Sequence, residues 1–211
     1  MDDAPAPPAR AGIAGLILAG GQGSRMQGRD KGLVELAGEP LVAHVARQLA
    51  PQVGRIIVSA NRHAQAYARY GEVVADEVGA LGEWQGPLAG LAAGLAAAGG
   101  AQWLVCAPCD TPFLPADLAG RLIAGARSAG APLACAVAQG RRHPACMALR
   151  VSLLPALRAF LESGERRVGL WQDRAGAARV PFADGEPAFM NVNTPEDLAL
   201  AERYASQWRR S

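Results

Sequence analysis

The chain has 211 residues, half of them hydrophobic and 5% aromatic, with a formal net charge of +2. That length suits one α/β domain with a sizeable core, and a near-balanced charge without a block of Lys or Arg excludes a nucleic-acid scaffold. No apolar run reaches the roughly 18 residues of a membrane span, and no basic segment precedes a long apolar run at the start, so the expected location is the cytoplasm, with no membrane partner.

Residues 1–12 are rich in Pro and Ala and carry Asp2 and Asp3, which reads as a disordered tail. Ile13 to Leu18 is a short apolar run, a buried strand. It leads into Ala19-Gly20-Gly21-Gln22-Gly23-Ser24-Arg25-Met26, whose glycines favour close approach of backbone to a ligand. Pro40 opens a helix over Leu41 to Ala50, with Leu41, Val45 and Leu49 on one face. Arg55 to Ser59 reads as a strand, Ala64 to Tyr70 as helix, and Glu72 to Ala75 as a third strand ending at Asp76. Pro87 starts a helix to Ala98, Gln102 to Ala107 is a fourth strand ending at Asp110, and Pro115 to Ser128 is helical.

Beyond residue 130 the pattern is less regular. Pro132 to Val137 and Ala145 to Arg150 read as strands around a turn at Gln139-Gly-Arg-Arg142. Val151 to Glu162 and Arg166 to Asp173 read as helices, and Ala178 to Phe182 as a strand. Thr194, Pro195 and Asp197 form a capping-box-like start for a last helix to Trp208.

Alternating strands and helices predict a single-domain three-layer α/β/α fold over residues 13–208, with a mostly parallel, Rossmann-like sheet. Ligands of such sheets sit beyond the carboxyl ends of the strands. Gly20, Asp76 and Asp110 each follow such an end, so three strands aim polar groups at one crevice. The four cysteines include Cys106-Ala-Pro-Cys109, whose spacing suits a redox pair; it ends an apolar run instead of opening a helix, and no second such pair completes a metal site.

The Gly-rich loop is neither of two familiar kinds. A P-loop needs Gly-Lys-Ser/Thr, and Lys31 has neither neighbour. A dinucleotide loop needs Gly or Ala where Met26 stands. What stands instead is Leu18-Ala19-Gly20-Gly21-x-x-x-Arg25-Met26 followed by Asp30-Lys31, which resembles the nucleotidyltransferases that activate sugars, cytidyl alcohols and pterins. Gly86-Pro87-Leu88-Ala89-Gly90, Pro108-Cys109-Asp110-Thr111-Pro112, His143-Pro144, Gly164-Glu165-Arg166-Arg167-Val168 and Asn191-Val192-Asn193-Thr194-Pro195-Glu196 follow in order. Together they resemble the molybdenum cofactor guanylyltransferase family over roughly Ile13 to Glu202.

The resemblance implies transfer of GMP from GTP to the phosphate of molybdopterin or Mo-molybdopterin, with Mg²⁺ as cofactor. It divides the domain into a GTP-binding half, 13–130, and a molybdopterin-binding half, 131–208. Leu18, Ala19, Gly20 and Gly21 would line the nucleotide with main chain. Arg25 and Lys31 would supply cations for the departing pyrophosphate. Asp76 and Ser59-Ala60-Asn61 would flank the nucleoside, with Ser59 and Asn61 both standing as the contact. Asp110 would bind Mg²⁺, a hard cation that commonly takes one or two protein carboxylates beside phosphates and waters; capping of the turn before Thr111-Pro112 is its bland alternative, as it is for Asp76 at its own loop.

For the acceptor, Arg166 and Arg167 suit a phosphate, or begin a solvated helix. Asn193 and Asn191 complete the metal shell or hold the acceptor, or else order the loop before the last helix. His143 contacts the acceptor or is structural. Cys146 departs from the family pattern, where a hydroxyl residue is common. Three other functions share these features: a cytidylyltransferase for the same pterin, a sugar-phosphate nucleotidyltransferase, whose sugar-binding half is usually longer, and a non-catalytic nucleotide-dependent carrier. Transient contact with molybdoenzymes or their chaperones is a further partner expectation.

Overall fold

A computed structural model describes residues 9–20, 30–76, 86–183 and 187–208. Among these, seven strands form one sheet. β1 (Ile13–Leu18) lies in its interior, and both its faces are covered: Leu16 faces one apolar cluster and Ile17 the other, each fully buried. Burial of such a side chain stabilises by about 1.5–3 kcal/mol.

On one flank β4 (Arg55–Ser59) and β5 (Glu72–Val74) continue in parallel; on the other stands β6 (Trp103–Pro108), also parallel to β1. The order β5-β4-β1-β6-β8-β7-β9 reverses direction at β1 and β6, which is where ligands of open α/β sheets bind. β7 (Leu133–Ala138) and β9 (Ala178–Pro181) pair in parallel, while β8 (Arg141–Arg150) runs antiparallel between β6 and β7.

Helices cover both faces. One cluster joins α1 (Leu41–Leu49), the single turn α2 (Ala64–Tyr67) and α4 (Leu118–Ser128); the other joins α3 (Pro87–Ala97), α5 (Leu154–Glu162) and α6 (Val168–Arg174). α1 buries the predicted stripe of Leu41, Val45 and Leu49. α3 is buried along Leu88 to Leu95, so small residues replace amphipathicity there. α7 (Pro195–Trp208) is capped as its sequence predicts: Asp197 Oδ2 accepts from Asn193 N and Thr194 N, and Asp197 N donates to Thr194 Oγ1 at 3.1 Å.

Beyond shifts of element ends, the largest at α2, a single turn where helix is expected to Tyr70, three features differ from the sequence reading. First, Arg10–Gly12, the end of the expected tail, form a 3₁₀ turn, and Arg10 Nη2 donates to the Ala50 carbonyl at 3.0 Å; residues 1–8 of that tail lie outside the described residues. Second, β8 begins at Arg141, and the turn is only Gln139-Gly140, both at positive φ as two-residue hairpin turns require. Pro144 hid this strand. It is accommodated because pairing jumps from Cys135–Met147 to Ala136–His143, leaving Pro144 in a bulge where no N–H is needed. Third, a small hairpin of β2 (Glu35–Leu36) and β3 (Glu39–Pro40) has no counterpart in the predicted elements; Ala37 and Gly38 turn it at φ 54° and 81°. Its Leu36 packs with Val192, Ala201 and Ala205, which docks α7. No helix among the described residues is long and apolar enough to cross a membrane.

Candidate active site

The crevice is built from the ends of β1, β4, β5 and β6. The sheet ladder carries past those ends: Cys109 N donates to the Leu18 carbonyl at 3.0 Å, Ala19 N to Ser59 at 2.8 Å and Ala60 N to Val74 at 2.9 Å. The segments holding Gly20, Asn61, Asp76 and Asp110 are therefore locked side by side.

One cluster gathers around Asp110. Lys31 Nζ lies 3.4 Å from Asp110 Oδ2 and also donates to Asn193 Oδ1. Both charged side chains are largely enclosed, at 23% and 15% exposure, so the pair is only partly screened. Burial raises the Asp110 carboxyl above its ordinary value, and the Lys31 charge opposes that. Lys31 is aimed by a 3₁₀ turn, Lys31–Leu33, whose cap Asp30 accepts from Gly32 N at 3.2 Å. The loop before α7 is tied to the same point. Val192 N donates to the Asp110 carbonyl at 2.8 Å, and Thr111 Oγ1 donates to Asn191 Oδ1 at 2.8 Å. Thr111 is fully buried, a partner the sequence motif contained without showing its use.

A second cluster surrounds Asp76. Its Oδ1 accepts from Ser59 Oγ at 3.2 Å and its Oδ2 from Asn61 Nδ2 at 3.0 Å, while its own N–H donates to Asn61 Oδ1 at 2.9 Å. Ser59 is 1% exposed, so its hydroxyl serves Asp76; Asn61 is only half-buried. Gly20 faces this group: a Cβ there would stand 3.5 Å from Asn61 Nδ2 and 3.9 Å from Asp76 Oδ2. Gly90 is a packing residue, since a Cβ on it would come within 2.5 Å of Ser59 Oγ.

The donor set near Asp110 fits a hard cation. It offers one carboxylate and amide oxygens, and no group of three or more His, Cys, Asp or Glu converges among the described residues. Such a set suits Mg²⁺ held mainly by phosphates and water.

The acceptor candidates are less united. His143 stacks on Phe189 with centroids 4.8 Å apart and planes 26° from parallel, and burial holds its imidazole below the ordinary value. Phe189 adopts φ 62°, a region that bulky residues seldom occupy; the His143 stack and an edge contact with Phe182 hold it as the chain turns toward Asn191. Arg166 Nη1 donates to the Leu161 and Glu165 carbonyls at 2.6 and 2.8 Å, closing the end of α5, and exposed Arg167 lies 3.4 Å from Glu165. Gly21 and Arg25 lie outside the described residues. The four cysteines are free thiols; Cys106 faces one core cluster and Cys109 the other, across the sheet, so they form no redox pair.

Residues 15–175 match the MobA-like NTP transferase domain. A molybdenum cofactor guanylyltransferase of Cereibacter sphaeroides is 50% identical over 195 residues, spanning 90% of this chain and 95% of the relative. One from Burkholderia ambifaria (strain MC40-6) is 46% identical over 201 residues, 90% and 96% of the two chains. Among solved structures, molybdopterin-guanine dinucleotide biosynthesis protein A from Archaeoglobus fulgidus superposes with a TM-score of 0.71 at 24% identity, covering 92% of this chain and 99% of that one. A CMP:2-keto-3-deoxy-manno-octonic acid synthetase complexed with CTP gives 0.71 at 18% identity, covering 95% and 100%. These two likenesses show the nucleotidyltransferase fold.

Proposed function

Because the chain belongs to the molybdenum cofactor guanylyltransferase family within the MobA-like NTP transferases, we propose that it transfers GMP from GTP to the phosphate of molybdopterin, with or without bound metal, and releases pyrophosphate. The observation that carries the assignment of its centre is the Lys31–Asp110–Asn193 cluster, set beyond the carboxyl ends of β1 and β6.

An oxygen of the acceptor phosphate attacks the α-phosphorus in line, and the bond to the β-phosphate oxygen breaks. A phosphate monoester has a second pKa of about 6 and is already largely ionised near neutrality, so no general base is needed. The protein's task is then positioning and charge. Lys31 keeps a donor on Asn193 and turns another toward the leaving phosphates, where negative charge grows; Arg25 is assigned the same work. Asp110, with Asn193 and Asn191 beside it, would hold Mg²⁺, which when bound neutralises triphosphate oxygens.

Leu18, Ala19, Gly20 and Gly21 are assigned to main-chain lining of the nucleotide; the Ala19 N–H and the Leu18 carbonyl already serve the sheet, which fixes where this segment stands. Asn61 and Asp76 take the nucleoside. His143, Arg166 and Arg167 are assigned to the acceptor side, His143 with its ring fixed by Phe189. The reaction belongs in the cytoplasm, where GTP is supplied, and the product passes on by transient contact with molybdoenzymes or their chaperones.

The test is incubation with each of the four NTPs, Mg²⁺ and molybdopterin, followed by pyrophosphate detection. GTP alone should give turnover. Preference for CTP would make the chain a cytidylyltransferase, and nucleotide binding without pyrophosphate would make it a carrier.

A further inference from the structure

We propose that Tyr67 is a positioning residue for the transfer, acting through Asp30 to set the turn that aims Lys31 at Asp110 and Asn193. The inference rests on the guanylyltransferase reading above and adds to it a residue on a different element, 36 positions along the chain from Lys31.

Tyr67 closes α2, which starts after His63 at φ 53°. Its ring is fully buried in the apolar cluster beneath α1, with Ile17, Val42 and Val45. A phenylalanine would fill that space equally well. A hydroxyl buried there is costly unless it is hydrogen-bonded, so its partner explains its presence. The partner is Asp30: Tyr67 Oη donates to Asp30 Oδ1. The same oxygen accepts from Gly32 N at 3.2 Å, and Leu33 N donates to the Asp30 carbonyl at 3.1 Å. Two donors thus converge on one carboxylate oxygen, one from the core and one from the turn that Asp30 caps. Lys31 lies between Asp30 and Gly32, and its backbone has little freedom once both are held.

Gly32 supports this reading. A Cβ there would stand 2.4 Å from Tyr67 Oη and 3.0 Å from its Cε1, so the chain must lack a side chain where the phenol passes. Burial, reinforced by Cys109 and by the bond to Asp30, raises the phenol far above its ordinary value, and it remains a donor throughout the working pH range. Lys31 is a long side chain meeting two acceptors. A displacement of its Cα by a fraction of an ångström moves the ammonium off the line to the leaving phosphates, and misplacement on that scale is costly to turnover.

The experiment measures pyrophosphate release with GTP varied at fixed molybdopterin, first for the unaltered chain and then for Tyr67→Phe, in the wild-type and Lys31→Ala backgrounds. Tyr67→Phe should lower kcat about tenfold while changing the KM for GTP less than about threefold, the pattern of an interaction realised in the transition state. In the Lys31→Ala background it should cause no further loss, because the group it positions is gone. A general loosening of the fold would lower the rate in both backgrounds alike. Asp30→Ala removes the acceptor of the phenol and the cap on Gly32 N together; it should lower kcat at least as far, Tyr67→Phe should cause no further loss in its background, and it decides the matter if Tyr67→Phe does not fold. A kcat for either variant within about twofold of wild type, or an equal loss in both backgrounds, overturns the inference. No pyrophosphate from the unaltered chain overturns the transferase reading and this inference with it.

Discussion

Lys31 and Asp110, 79 residues apart in sequence, meet at 3.4 Å with both side chains largely enclosed, and Asn193, 162 residues from Lys31, closes the group from the far end of the domain. An ion pair in that position holds both charges ready for a triphosphate and its metal, and it makes stability and activity separable at Asp110.

Asp110→Asn keeps the shape and an acceptor for Lys31 while removing the charge. Turnover should fall by about 10²–10³ with the circular dichroism spectrum unchanged. The stability effect has the opposite sign. Burial raises the folded carboxyl above its unfolded value, so the folded state binds the proton more tightly and the wild type loses stability as pH rises through that interval. The Tm of wild type relative to Asp110→Asn should therefore be lower near neutrality and should recover as pH falls toward the ordinary carboxylate range. A constant difference across pH would contradict the buried-carboxylate account.

Lys31→Ala leaves Asp110 without its compensating cation. It should lower the Tm at neutral pH, and that loss should vanish in the Asp110→Asn background, because the penalty comes from the uncompensated buried charge. Additive losses measured by calorimetry would mean that the pair is not coupled.

Ser59 and Asn61 both donate to Asp76, but only Asn61 has exposed surface. Asn61→Ala should weaken GTP binding about tenfold or more, the loss of a buried polar contact, while Ser59→Ala should change it less than about threefold. Equilibrium titration with GTP decides between them; the reverse order would make Ser59 the nucleoside contact.

Gly20 and Gly90 separate space for a ligand from space for a helix. Among the described residues the nearest atom to a Cβ at Gly20 is 3.5 Å away, so Gly20→Leu should fold with a wild-type Tm yet lose GTP binding, its branched side chain filling the volume before Asn61 and Asp76. A Cβ on Gly90 would stand 2.5 Å from Ser59 Oγ, so Gly90→Ala should cost about 1–3 kcal/mol of stability, as overpacking does. Thermal melts and GTP titrations of the two variants should show opposite patterns, and matching patterns would refute the distinction.

Much of this protein is legible locally. The apolar run at Ile13–Leu18, the stripe of α1, the capping residues Thr194 and Asp197 and the strand ends before Gly20, Asp76 and Asp110 follow from periodicity and turn chemistry over ten residues or fewer, and these are properties of adjacent side chains. The motifs also single out Lys31, Asp110 and Asn193 as candidates. That the three touch, that Ser59 serves Asp76 from within the core, that Arg166 caps α5, and that Pro144 sits in a bulge of an internal strand are outcomes of sheet order and register. They depend on which strands become neighbours, and residues far apart in sequence acquire partners only when the whole core closes around β1. Tyr67 is the clearest case: in sequence it is one aromatic residue in a short helix, and only packing brings its hydroxyl to Asp30, because the ring must pass a position where the chain carries glycine.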